Sequence, residues 1–203
     1  MKNSFKILFF FAVGILFSSI DILPDWLLNE DLSGYALFLL MLIVGVGVGS
    51  DDTIISVLDK FSFRVLLIPF VVIIGSLGGA ALISLFVSYV SVTEAMAVGA
   101  GFGYYSLSAI LISELGGQEL GVVALLANII REILTLVMAP FIVPFFGKFA
   151  VIVSGGATAM DVTLPVVVRY SGKDMAVMAI FSGLILSLLV PVLIPFILSF
   201  FSF

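Results

Sequence analysis

The sequence predicts an all-α integral membrane protein, with about five spanning helices and two broken, re-entrant helical segments forming inverted repeats. Three observations lead there. Hydrophobic residues fill 63% of the 203 positions and charged residues 10%, far from the roughly 45–50% and about 25% of soluble domains. Several apolar runs are long enough to cross hydrocarbon as a helix, which takes about 20 residues. Two further apolar stretches are interrupted by Gly and Pro, and they match each other 55 positions apart.

The spanning runs are 5–22, 34–49, 65–90, 120–146 and 175–201. Val and Ile are frequent, but unpaired strands cannot cross hydrocarbon and the alternating pattern of a barrel is missing. The first run follows Lys2 and Lys6 and ends near Ser18 and Ser19, which raises a cleaved signal peptide as an alternative. It has no small-residue cleavage site and a second apolar run follows closely, so it reads as a retained helix. The chain reads as one membrane transport domain, 1–203. A two-helix N-terminal part (1–60) precedes an inverted-repeat core (65–203).

The interrupted segments are 95–113, carrying Gly99, Gly101 and Gly103, and 149–170, carrying Gly155, Gly156 and Pro165. "GAGFGYYSLSAILISELGGQELGVVALLANII" lies over "SGGATAMDVTLPVVVRYSGKDMAVMAIFSGLI". Gly101 falls on Gly156, Gly117 on Gly172, Ser108 on Thr163, Glu119 on Asp174 and Ser106 on Asp161. The helices starting near Val65, Leu120 and Met175 keep the same pitch. If both segments are re-entrant, Lys2, Lys6, Lys60, Arg64, Lys148, Arg169 and Lys173 share one side. That is seven of the eight basic residues, and Lys and Arg collect on the cytoplasmic side of short loops. The N-terminus is then inside and the C-terminus outside. Broken helices in inverted repeats build midplane sites in secondary transporters, where irregular backbone is tolerated if it lines a cavity. Glycines serving only close helix packing are the plainer alternative.

The polar residues narrow the chemistry. The chain has no Cys and no His, which removes disulfides, thiolate metal sites and the commonest catalytic base; no cofactor or metal is expected. A net charge of −5 is no nucleic-acid signal. Asn128, Arg131, Glu132 and Thr135 fall at i, i+3, i+4 and i+7 of one predicted helix, on one face near mid-span. Ionisable residues at that depth mark substrate or ion pathways. An internal pair of Arg131 with Asp161 or Glu132 that merely joins helices is the structural alternative. On the functional reading, Glu132 and Asp161 sit beside hydroxyls and freed carbonyls in a cavity suited to a cation or ammonium group. Burial helps a carboxylate hold a proton. Ser106 and Ser108, with Thr163 as the repeat partner of Ser108, belong to the break tips, and Tyr104 and Tyr105 line the cavity or pack. A cationic zwitterion fits: its carboxylate to helix N-termini or Arg131, its amines to Glu132 and Asp161.

At these residues the chain resembles a family. "GFGYYSLSAILISE", "NIIREIL" and "GGATAMDVTLPV" are similar to signature segments of the LysO-type bacterial lysine exporters, and the likeness runs over most of the chain. It implies an inner-membrane carrier exporting L-lysine and analogues such as thialysine by exchange with protons. The family's acidic transport residues map onto Glu132 and Asp161. Family members are commonly longer at the N-terminus, so a separate small membrane subunit or a homo-oligomer is expected as partner, besides membrane lipid. Sodium coupling or cation/proton exchange is the alternative within transport. An intramembrane aspartyl protease needs two midplane aspartates and finds one. A purely structural subunit does not account for the polar stripe at 128–135.

Overall fold

The computed structural model describes residues 63–200 except Ser88, together with the isolated positions 13, 16, 17, 35, 39, 42 and 46. Among the described residues there are seven α-helices and no strand. They are α1 (Phe63–Ser84), α2 (Val92–Gly99), α3 (Tyr105–Gly116), α4 (Gln118–Phe146), α5 (Ala150–Gly155), α6 (Leu164–Ser171) and α7 (Met175–Phe200). A 3-10 turn, Gly156–Met160, follows α5. The expected spanning runs 5–22 and 34–49 lie outside the described residues.

Three helices are long and apolar enough to cross a membrane, over Leu66–Ser84, Gln118–Phe146 and Met175–Ser199. At about 1.5 Å per residue α4 reaches about 43 Å, more than the roughly 30 Å of hydrocarbon, so it is long enough to cross with room for tilt. The pieces α2, α3, α5 and α6 hold only 8, 12, 6 and 8 residues. None of them crosses alone.

Two boundaries differ from the expectation. The run 65–90 stops being helical at Ser84, whose hydroxyl donates to the Ala81 carbonyl at 2.8 Å and closes the last turn. The first broken segment begins at Val92 rather than 95, because Ser91 caps α2. Its hydroxyl accepts from the Glu94 amide while the Glu94 carboxylate accepts from the Ser91 amide, a reciprocal capping box. An apolar count overlooks both events, because Leu85, Phe86 and Val87 continue the hydrophobic composition after the backbone has turned.

The long helices alternate in direction. Ile68 of α1, Ala139 of α4 and Met175 and Ala179 of α7 share one buried cluster with Val151, Ile152 and Val167. Leu120 and Ala124 of α4 share another with Val190, Ile194 and Ile197 of α7 and with Ala97, Leu107, Leu111 and Ile112. So α1 and α7 run parallel and α4 runs against them. At one end Lys148, just before α5, lies 4.0 Å from Asp174, just after α6. The two flanks of the second broken segment therefore lie close together. Gly116, closing α3, lies beside Leu198 near the end of α7.

Candidate functional site

The two breaks meet between the clusters. The chain turns out of α2 through Phe102, fully buried at φ 48, and Gly103 at φ 97. The second break turns at Gly156, φ 63 and ψ −124, a region open to glycine. There the Ala157 amide donates to the Phe102 carbonyl at 2.8 Å. These two residues are 55 positions apart, the spacing at which the two interrupted segments align in the sequence. The same spacing recurs where Arg131 Nη1 donates to Ser76 Oγ at 2.8 Å.

Helix α4 fastens both breaks. Asn128 accepts from the Gly103 amide at 2.7 Å, and its Nδ2 donates to the carbonyls of Ala124 and Val98 and to Ser108 Oγ. One turn on, Arg131 donates from Nε to the Ser154 carbonyl at 2.8 Å and from Nη2 to the Val153 carbonyl at 3.1 Å. Thr135 donates to the Arg131 carbonyl at 2.9 Å and lies 2.7 Å from Ser154 Oγ. Its single proton is committed to the backbone, so Ser154 is the donor of that second bond.

The structural alternative, an ion pair of Arg131 with Asp161 or Glu132, does not form: among the described residues no carboxylate lies within ion-pair distance of Arg131. Its donors go instead to neutral oxygens, because the end of α5 offers carbonyls that the backbone leaves unfilled.

The remaining expected site residues divide into a dry and a wet group. Glu132 is 1% exposed, on the α4 face that buries Asn128 and Thr135. Ser108 and Thr163 are fully buried; Ser108 donates to the Tyr105 carbonyl, and Thr163 Oγ1 packs against Gly155. Tyr105 is buried with Leu125 and Ile129, a packing position. Asp161 is exposed and accepts from the Val162 amide, while Tyr104 and Ser106 are half-buried. Asp161 stands three residues ahead of α6, where the helix N-terminus favours negative charge. Among the described residues no group of His, Cys, Asp and Glu is arranged to hold a metal ion.

The sequence reading missed Ser76, Ser154 and Phe102. Ser76 had a signal, since it stands one repeat pitch before Arg131; the other two are recruited through backbone atoms and close packing.

Comparison with known proteins gives the site its context. The family model described as "Lysine exporter LysO" matches residues 8–198. A protein of Escherichia coli (strain K12) named lysine exporter LysO is 38% identical over 166 residues, 81% of this chain and 54% of the relative. A protein of Haemophilus influenzae, provisionally named a lysine exporter, is 31% identical over 179 residues, 87% of this chain and 89% of the relative. The chain thus spans about half the length of the Escherichia coli relative. No solved structure matches.

Proposed function

The chain belongs to the lysine exporter LysO family, and from that membership we propose that this multi-pass helical membrane protein exports L-lysine, and analogues such as thialysine, across a bacterial inner membrane by exchange with protons. The substrate assignment is carried by the family match over residues 8–198. The mechanism rests on the crossing of two broken helices beside Glu132 and Asp161.

The breaks read as two inverted, re-entrant segments. The 4.0 Å contact of Lys148 with Asp174 supports re-entry of the second, since a full crossing would separate these residues by the thickness of the membrane. Placement supports the repeat: Asn128, which holds the first break at Gly103, stands one pitch before Gly183, which packs against Ala157 and Met160 of the second. Charge supports the orientation. Lys148, Arg169 and Lys173 gather at the end where Asp174 lies, while Glu94, Glu114 and Glu119 mark the other. The basic end is cytoplasmic, which puts the N-terminus inside and the C-terminus outside.

Each carboxylate has a distinct part. Asp161, exposed at the second break, meets the substrate's ammonium groups. Glu132, dry and central on α4, holds the coupled proton or the second positive charge when the breaks shift. Ser106, Ser108 and Thr163 offer hydroxyls at the tips, and the N-termini of α3 and α6 offer amides to the substrate's carboxylate. A separate small membrane subunit or a second copy would cover the lipid-facing flank.

Proteoliposomes loaded with labelled lysine test this reading. With lysine more concentrated outside than inside, an imposed proton gradient should still drive the labelled lysine out, alone or with a candidate partner subunit. Lysine movement that follows a sodium gradient and ignores protons would favour sodium coupling; no lysine movement in either arrangement would sink the assignment.

A further inference from the structure

We infer that Arg131 is a positioning residue, joined to Ser76, that holds the second break in place and makes no contact with substrate. The obvious role for a buried arginine in a lysine carrier would be to bind the substrate's α-carboxylate. The hydrogen bonds argue otherwise.

The reason lies in the backbone. In an uninterrupted α-helix the Val153 carbonyl would accept from the amide four residues on, that of Ala157. That amide is diverted to the Phe102 carbonyl at 2.8 Å, where the two breaks cross. Val153 is left with an unfilled acceptor in the middle of a membrane protein, an expensive vacancy. Arg131 fills it with Nη2 and takes the neighbouring Ser154 carbonyl with Nε. Its Nη1 then reaches Ser76 on α1. The guanidinium fork thus ties α4, the end of α5 and α1 together at the point where the crossing removes a helical bond. The crossing and the arginine form one device.

Two more contacts fit. A side chain at Gly156 would run into the Phe102 carbonyl and lie 3.2 Å from the Arg131 guanidinium, so the fork fits closely against the break. Thr135, one turn along α4, bonds the Ser154 side chain and doubles the attachment. In the first break Asn128 does the equivalent work with an amide. Substrate charge recognition is thereby left to the carboxylates and helix ends, and Arg131 sets where Asp161 stands.

This inference rests on the lysine-export reading for its transport readout, and a second readout stands apart from it. In proteoliposomes, Ser76→Ala and Arg131→Gln should each lower the maximal rate of lysine exchange by about tenfold, the worth of one hydrogen bond from a charged donor. The preference for lysine over lysinamide, whose carboxylate is an uncharged amide, should stay as in the unaltered protein. Ser76→Thr, which restores the hydroxyl, should recover the rate. A lysine preference erased by Arg131→Gln, or a normal rate in Ser76→Ala, would overturn the inference.

Should Arg131→Gln fail to fold, the Ser76 variants carry the test. Independently of any substrate, the chain has no cysteine, so Met160→Cys gives a single reporter on the second break. Its labelling by a charged maleimide should speed up at least about threefold when Ser76→Ala is added and return with Ser76→Thr. Unchanged labelling would refute the positioning role even if lysine proves not to be the substrate.

Discussion

Alanine at Gly156 strikes the crossing of the two breaks at its tightest point. The residue sits at φ 63 and ψ −124, where a side chain costs about 1–3 kcal/mol in backbone strain alone. Its new methyl would also collide with the Phe102 carbonyl oxygen. That oxygen cannot retreat without giving up the Ala157 amide, and a buried amide left unsatisfied costs about 1–3 kcal/mol more. The combined loss is about 2–6 kcal/mol. Gly147→Ala is the matched control: φ is 82, but a methyl there meets nothing within 4 Å, so strain alone remains. Equilibrium unfolding of both variants in mixed micelles, read by helical circular dichroism, gives the difference. Gly156→Ala should be less stable than Gly147→Ala by about 1–3 kcal/mol and should lose export. Equal stability of the two variants would mean that the breaks do not cross as described.

Other consequences can be checked in the same preparations. Asn128→Ala strands the Gly103 amide and should cost about 1–3 kcal/mol, whereas Asn128→Asp keeps that acceptor and should lose less in the same unfolding assay. Ser91→Ala removes the cap of α2 and should cost about 1 kcal/mol, with no change in substrate preference. Cysteines at Lys148 and Asp174 should be joined by a short bifunctional maleimide, seen as a shift on denaturing gels, while Lys148→Ala alone should barely alter stability because both partners are exposed. Single cysteines at Gly117 and Gly172 should label from opposite faces of the membrane; labelling of both from one face would contradict two inverted re-entrant segments.

Much of this was legible in the sequence because glycine and spacing speak plainly in an apolar chain. Gly101, Gly103, Gly155 and Gly156 announced the breaks, and the 55-residue pitch that aligned them also links Ser76 to Arg131 and Phe102 to Ala157 across contacts. The helices 120–146 and 175–201 were located to within two residues. Less readable was the use of each polar atom. Arg131 stands next to Glu132 in sequence and within plausible reach of Asp161, yet its donors go to Val153, Ser154 and Ser76. The cause is the diversion of one backbone amide at Ala157, which leaves no mark on side-chain pattern. Tyr104 and Tyr105 are adjacent and alike on paper; only packing sends Tyr105 into the Leu125–Ile129 cluster and leaves Tyr104 half-buried at the break. The end of α1 was misjudged for the opposite reason: hydrophobicity persists through Leu85–Val87 after the Ser84 hydroxyl has closed the helix.

The central claim is that Glu132 and Asp161 carry the substrate's positive charge and the coupled proton. Lysine exchange in proteoliposomes by Glu132→Gln and by Asp161→Asn, normalised to the amount of folded protein, tests it most directly. Amides keep the size of the carboxylates and much of their hydrogen bonding but cannot take up or release a proton near neutral pH. Each variant should fold and reach the membrane in ordinary amounts, and each should lose exchange. Exchange at the unaltered rate by folded Asp161→Asn or Glu132→Gln would contradict the account.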